Sequence, residues 1–309
     1  MSSRGYACLV AALGLVLAAS CAGSRPAPAA GPAKSLERVV IISVDGMGQV
    51  ALQACPAPAL RALMARGSST LSALTTKTAK TLPSHVAMLT GVAPERHGVE
   101  WNDAFHGYPK VPTLFEVARK QRPALTTALV AGKAKFATFT RPGSLDWSYV
   151  PEKDEAADDA MLAEKAAALI REHRPNLLVL HLPNVDRAGH ASGWASPEQC
   201  QALAGADQAV GKVLEALAGA GLAGQTAVIV TADHGGSGRT HRPDDGKSML
   251  IPWAVAGPGI RAGFDLGTVA GLQVHVEDTF ATACWLLGLS IEAGIDGKPV
   301  MQVREAGGR

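Results

Sequence analysis

Three aspartates and three histidines, each placed just after an apolar run, are the residues of this chain best suited to chemistry. Asp45 closes Val39-Val40-Ile41-Ile42-Ser43-Val44. Asp186 and His190 follow Leu177-Leu178-Val179-Leu180, and Asp233 and His234 follow Ala227-Val228-Ile229-Val230-Thr231-Ala232, with His241 soon after. Carboxylate oxygens and imidazole nitrogens together suit divalent ions of hard-to-borderline character. Six such groups are enough for two ions, most naturally zinc, with manganese or iron left open at one site. Asp186 and His190 stand four apart across Gly189, a spacing that lets both address one ion from a tight turn, and His241 offers a third ligand. Three protein ligands leave a fourth position for water or substrate. The glycines after Asp45 and after Asp233-His234 permit sharp turns and close backbone approach. Plain turn chemistry accounts for those glycines but not for the Asp-His pair.

A nucleophile is available in Lys77-Thr78-Ala79-Lys80-Thr81-Leu82-Pro83-Ser84-His85, which offers Thr78, Thr81 and Ser84. A hydroxyl held on a divalent ion loses its proton more readily and attacks at neutral pH. A helix is expected to start near Ser84. Thr81 would then lie at a helix N-terminus, where backbone N–H groups favour a phosphate. Ser84 itself reads as an N-cap and His85 as a helix-face histidine rather than a ligand.

The elements that must position these groups follow from the apolar pattern. Strands are expected at 37–44, 125–131, 176–182, 226–232 and 251–256, and helices at 57–66, 84–90, 112–121, 154–173, 197–219 and 277–288. Ser196 caps the helix whose first turn holds Pro197. Alternation of strand and helix implies an α/β domain, a mostly parallel sheet with helices on both faces, whose ligands gather at the carboxyl edge. Residues 92–111 read as an active-site loop or small cap. With 47% hydrophobic residues, 309 residues suffice for one large core, taken as a single domain over 36–305. Lys+Arg 29 against Asp+Glu 27 makes no electrostatic case for nucleic acid as the main partner.

The N-terminal stretch stands apart. Arg4, the apolar Ala7 to Ala19 and Ser20-Cys21-Ala22 read as a secretory signal over residues 1–21, followed by a Pro/Ala/Gly tether over 22–35. Leu17-Ala18-Ala19-Ser20-Cys21 resembles a bacterial lipobox, although Ala18 stands where Leu is usual. It implies a diacylglyceryl anchor on Cys21, with simple signal-peptidase cleavage as the alternative. The chain is thus expected to be exported, periplasmic or membrane-anchored. Cys55, Cys200 and Cys284 can then form at most one disulfide, its pairing open, and Cys284 reads as a buried thiol.

Taken in order, the motifs resemble the alkaline phosphatase superfamily, and most of all its nucleotide pyrophosphatase/phosphodiesterase branch. The matching pieces are Val40 to Gly46, Lys80-Thr81-Leu82-Pro83-Ser84-His85, Leu89-Thr90-Gly91, Pro94-Glu95-Arg96-His97-Gly98, Asn102, Asp186 with His190, Thr231 to Gly235, and His241. The resemblance implies an alkaline-phosphatase-like fold and two zinc ions. One is held by Asp186, His190 and His241, the other by Asp45, Asp233 and His234 with Thr81. It further implies that Thr81 forms a covalent phosphothreonine that water then hydrolyses, and that Asn102 hydrogen-bonds a phosphoryl oxygen, where otherwise a turn asparagine would be read. Two departures are visible: Ser84 stands where the phosphodiesterase branch usually has Asn, and Ser237 where many relatives have His. Cys55-Pro56-Ala57-Pro58-Ala59 does not meet the Cys-x-Pro-x-Arg pattern of sulfatases.

Lys133 and Lys135 bear on substrate choice. In phosphonoacetate hydrolases and some monoesterases of this superfamily, basic residues at this stage of the chain grip an extra substrate charge; the plain alternative is a solvated turn pair. The leading expectation is a phosphodiesterase or nucleotide pyrophosphatase, and the runner-up a phosphomonoesterase or phosphonate hydrolase. A metal-bearing binding lipoprotein without turnover is the reading from another class.

Overall fold

The computed structural model describes Met1 and residues 36–154 and 157–304. The signal, Cys21 and tether expectations lie outside these residues. Eight strands form one sheet: β1 (Arg38–Val44), β2 (Ser68–Leu74), β3 (Thr127–Val130), β4 (Trp147–Tyr149), β5 (Leu177–Leu182), β6 (Thr226–Thr231), β7 (Leu250–Ala256) and β8 (Phe264–Asp265), in the order β4-β3-β5-β1-β6-β7-β2-β8. From β4 to β6 every pair is parallel, and β1 lies between β5 and β6. These central strands are continuous runs of Val, Ile and Leu because both faces are covered. β7 runs antiparallel to both β6 and β2. The chain comes back from β6 to its neighbour without crossing the sheet, and an adjacent strand reached that way must reverse direction.

The helices are α1 (Gln49–Ala54), α2 (Pro58–Ala65), α3 (Thr81–Thr90), α4 (Pro94–His97), α5 (Leu114–Gln121), α6 (Asp159–Glu172), α7 (Asn184–Ser192), α8 (Pro197–Gly219), α9 (Gly246–Met249) and α10 (Asp278–Leu287). α2, α6, α7 and α8 pack together on one side of the sheet, and α3, α5 and α10 on the other. None of the helices among the described residues is long and apolar enough to cross a membrane. Ser196 caps α8 by accepting from Gln199 N–H, and Pro197 opens its first turn, as the sequence implies.

Three local expectations are corrected. α3 begins at Thr81, not at Ser84, because Pro83 fits the first turn, where no backbone donor is needed. Ser84 is therefore interior to the helix, and its hydroxyl pairs with Thr76 at 2.8 Å and Thr75 at 3.1 Å. Asp186 and His190 lie on α7, a nine-residue helix, and not in a tight turn; four-residue spacing puts them on one helical face. The disulfide pairing that the sequence leaves open is Cys55–Cys200, which ties the link between α1 and α2 to α8, and Cys284 is a buried thiol as expected.

Candidate metal centre

The carboxyl ends of β1, β5 and β6 bring the expected residues together. Asp45 follows β1 directly, and its N–H donates to Leu182 O at 2.9 Å. Gly46 then turns through φ 72°, where a Cβ would lie 2.8 Å from the Asp186 Cα, so α7 can approach only over a glycine. Gly46 N–H also donates to Asp233 Oδ1 at 3.1 Å. Gly48 and Gly235 meet back to back: a Cβ on Gly48 would stand 2.4 Å from the Gly235 Cα. These contacts place Asp45, Asp186 and Asp233 in one buried cluster.

His234 stands at its centre. Its Nε2 is 3.5 Å from Asp45 Oδ1, 3.3 Å from Asp233 Oδ2 and 3.9 Å from Asp186 Oδ1. The His241 ring stacks on it, with centroids 3.8 Å apart. Backbone carbonyls fix the tautomers of all three histidines. His234 Nδ1 bonds Gly235 O at 2.9 Å, His241 Nδ1 bonds Ala79 O at 2.6 Å and His190 Nδ1 bonds Arg239 O at 3.0 Å. A carbonyl only accepts, so each Nδ1 carries the proton and each Nε2 offers a lone pair.

Among the described residues, two groups each bring their ligand atoms within 4.8 Å of one another: Asp45, Asp233 and His234, and Asp186, His234 and His241. The first matches the division that the family resemblance implies. In the second, His234 takes the place expected of His190, whose Nε2 reaches Asp186 Oδ1 at 3.3 Å from the more exposed side of α7. Asp45 Oδ1, Asp186 Oδ1 and Asp233 Oδ2 are buried without hydrogen-bond partners. Unpartnered carboxylate oxygens facing imidazole lone pairs at this range repel unless positive charge lies between them, so the donor set fits divalent cations.

The charge balance agrees. Burial, together with Asp45 and Asp186, pushes the Asp233 carboxyl well above its usual range. Burial acts the same way on Asp45, but Lys133 and His181 override it and hold that carboxyl low. Burial lowers His241 to about 4, with His234 adding to the shift, so the ring is neutral and able to ligate at physiological pH.

Thr81 is the first residue of α3, almost fully buried, with Oγ1 3.5 Å from His234 Nε2. Asn102 comes from the 92–111 loop, which contains the short α4 and is otherwise irregular. Its Oδ1 accepts from Leu82 N–H at 2.8 Å, which leaves both Nδ2 hydrogens for another acceptor beside Thr81. Lys133 and Lys135 are not a solvated turn pair. Lys133 Nζ lies 2.7 Å from Asp45 Oδ2 and 2.6 Å from Asp186 Oδ2. Lys135 donates to Asn102 O, and its ammonium is lowered by burial and by Lys133. Arg141 lies farther out and pairs with Glu116 at 2.9 Å.

Two supporting residues lie outside the set expected from the sequence. His181 lies inside an apolar strand run and donates to Asp45 at 2.9 Å. Trp194 donates from Nε1 to Gly46 O at 3.0 Å, and its ring lies where Cβ atoms on Gly189 and Gly236 would fall. The Gly189 and Gly236 positions were the available signal for a large flat neighbour.

A mostly parallel sheet whose carboxyl edge gathers buried carboxylates and imidazoles around a threonine at the start of a helix defines an alkaline-phosphatase-like architecture. The solved structures agree on the fold. Murine ectonucleotide pyrophosphatase/phosphodiesterase 5, an inactive form in complex with AMP, matches with a TM-score of 0.68 at 17% identity, over 82% of this chain and 95% of that one. A 2-O GAG sulfatase, BT1596, matches with a TM-score of 0.69 at 16% identity, over 85% of this chain and 73% of that one. Among curated proteins, mouse ectonucleotide pyrophosphatase/phosphodiesterase family member 3 is 26% identical over 234 residues, covering 70% of this chain and 26% of that protein. The 2,3-bisphosphoglycerate-independent phosphoglycerate mutase of Shewanella oneidensis is 30% identical over 145 residues, covering 47% of this chain and 26% of that protein. The chain thus spans about a quarter of the length of these curated relatives. The family described as type I phosphodiesterase / nucleotide pyrophosphatase matches residues 39–245, and the chain belongs to it.

Proposed function

We propose that this protein is a metal-dependent hydrolase of phosphate esters, acting first on phosphodiesters or nucleotides, with Thr81 as nucleophile and two zinc ions held by the buried cluster. One observation carries the reading: the Nε2 lone pairs of His234 and His241 and three partnerless carboxylate oxygens converge in one cluster, with the Thr81 hydroxyl 3.5 Å from His234. The family membership and the AMP bound to the murine neighbour support the substrate class. Asp45, Asp233, His234 and Thr81 would hold one ion, and Asp186 and His241 the other, joined by His190. Bound there, divalent ions supply Lewis acidity that eases loss of the Thr81 proton and neutralises charge on the phosphoryl oxygens; manganese or iron at one site is compatible with the same donors.

The chain's own groups define the rest. Thr81 Oγ1 forms a bond to phosphorus while the ester oxygen opposite it departs and takes up the proton that Thr81 has lost, leaving a phosphothreonine that still carries the second substituent when the substrate is a diester. Water then breaks the Thr81–phosphorus bond and restores the hydroxyl. The Asn102 amide donates to a non-bridging oxygen as charge develops, from a position held by Leu82 N–H. The start of α3 adds the favourable end of a helix dipole.

A second reading rests on a specific observation. Lys133 is buried against Asp45 and Asp186, and Lys135 holds Asn102, so both ammonium groups belong to the site. Two cations there suit a phosphate monoester or a charged phosphonate, whose extra charge a diester lacks. The test is catalytic efficiency of zinc-loaded protein on a diester and a monoester sharing one aryl leaving group. Preference for the diester supports the leading reading, and preference for the monoester replaces it with the second. Thr81→Ala is expected to abolish turnover with fold and zinc content nearly intact; full activity would exclude Thr81 as nucleophile. Zinc-loaded protein that binds both esters and releases no product would leave only a binding role.

We further propose that the protein is exported and tethered to a membrane through lipidated Cys21. The Cys55–Cys200 disulfide supports an oxidising compartment.

A further inference from the structure

His181 is a buried imidazole one residue from the carboxyl end of a strand that is otherwise Leu and Val. It pairs in register with Ser43 of β1, one position inside the site. An aliphatic side chain would fill this place without desolvating a ring, so its polarity calls for a reason.

Each ring nitrogen has one partner. Gly132 N lies 3.2 Å from Nδ1, and a backbone N–H only donates, so Nδ1 accepts and the proton is on Nε2. Nε2 lies 2.9 Å from Asp45 Oδ2, and the bond therefore runs from the ring to the carboxylate. The Lys133 ammonium reaches the same oxygen at 2.7 Å. Both donors fall on Oδ2, while Oδ1 has no hydrogen bond and faces His234 Nε2 at 3.5 Å. The ring is itself braced, with Phe136 at a centroid distance of 4.1 Å and His85 edge-on at 5.0 Å.

We propose that His181 is a positioning residue for metal binding. Its Nε2–H anchors one oxygen of Asp45 so that the other addresses the ion shared with Asp233 and His234. Gly132 precedes Lys133, so the same ring ties the lysine turn to that carboxylate and fixes the spacing between ammonium and metal ligand. This inference rests on the two-ion reading above. Hydrogen bonds to ligating groups fix their orientation, and losing one typically weakens metal binding about 10–100-fold.

The test is zinc titration of the whole protein against a chromogenic chelator, for the native chain, His181→Phe and His181→Gln. Phenylalanine keeps a ring against Phe136 but cannot donate, whereas glutamine keeps an N–H donor. The native chain is expected to bind two equivalents. In His181→Phe one equivalent should weaken about 10–100-fold and the other change less than about twofold, with His181→Gln recovering much of the loss. Unchanged affinity for both equivalents in His181→Phe overturns the inference. So does equal weakening of both with no recovery by glutamine, the signature of a merely structural role. If His181→Phe does not fold, His181→Met against His181→Gln makes the same comparison. A native chain that binds fewer than two equivalents refutes the two-ion reading instead, and the inference falls with it.

Discussion

Replacing Lys133 by methionine tests the electrostatic balance of the site. The ammonium lies 2.7 Å from Asp45 and 2.6 Å from Asp186, all three groups being buried. Burial alone would drive Lys133 toward its neutral form, but the two carboxylates reverse this and hold it protonated. At an effective dielectric of about 20, each pair is worth roughly 6 kcal/mol before desolvation is subtracted. Removing one partner of such a cluster leaves buried charge uncompensated, typically at about 3–5 kcal/mol. Methionine keeps most of the volume, so the loss is chiefly of charge. For a chain of this size about 1 kcal/mol shifts Tm by roughly 2–4 °C, so the metal-free variant should melt roughly 6–20 °C lower. Zinc brings its own positive charge to the same carboxylates and should restore more than half of the deficit. Differential scanning fluorimetry of both proteins in chelator and in excess zinc measures this. A metal-free Tm within about 2 °C of the native value, or a deficit that zinc leaves unchanged, would refute the argument.

Asp159 opens α6 almost fully buried, with Oδ2 unpartnered, and burial raises its carboxyl to about 7. The folded state then holds a proton that the unfolded chain releases from pH 4 upward, so stability falls as pH rises through this window. Asp159→Asn should remove the decline and gain up to about 3 kcal/mol on the native protein between pH 5 and pH 8; parallel urea curves at the two pH values would contradict it. Reducing Cys55–Cys200, which are 145 residues apart, or replacing both with alanine should lower stability by about 2–5 kcal/mol, read as a shift in urea midpoint. A Cβ on Gly236 would stand 2.3 Å from the Trp194 ring, so Gly236→Ala should displace the indole and weaken zinc binding. Unchanged tryptophan fluorescence together with native zinc affinity would count against that contact as a support of the site.

Much of the candidate site is legible in the sequence because a parallel sheet delivers whatever follows its strands to one edge. Asp45, Asp233 and His234 needed only the unbroken Val/Ile runs before them to be placed. β2 is not legible in the sequence because Ser68-Ser69-Thr70-Leu71-Ser72 pairs beside the antiparallel β7 and has little apolar signal of its own. α7 was hidden because it is short, polar and carries Gly189, a residue kept by the indole packed on it rather than by any helical preference. The roles of Lys133 and His181 depend on pairs 53 and 136 residues apart in the chain, and no local pattern reports such distances. The Cys55–Cys200 pairing is of the same kind: three thiols in the sequence allow it, and only the packing of α8 selects it.

His234 belongs to both ligand groups, yet its Nδ1 is occupied by Gly235 O and only one lone pair is left. One lone pair serves one ion. In the proposed two-ion site, the first ion to arrive would recruit it, and the second would be completed by His190, which sits on the exposed side of α7. Occupancy is thus expected to be sequential, with an inner ion that exchanges slowly and an outer one in contact with solvent. Two different metals added in turn would then give products that record the order of addition, and identical products from either order would show that the imidazole is not contested.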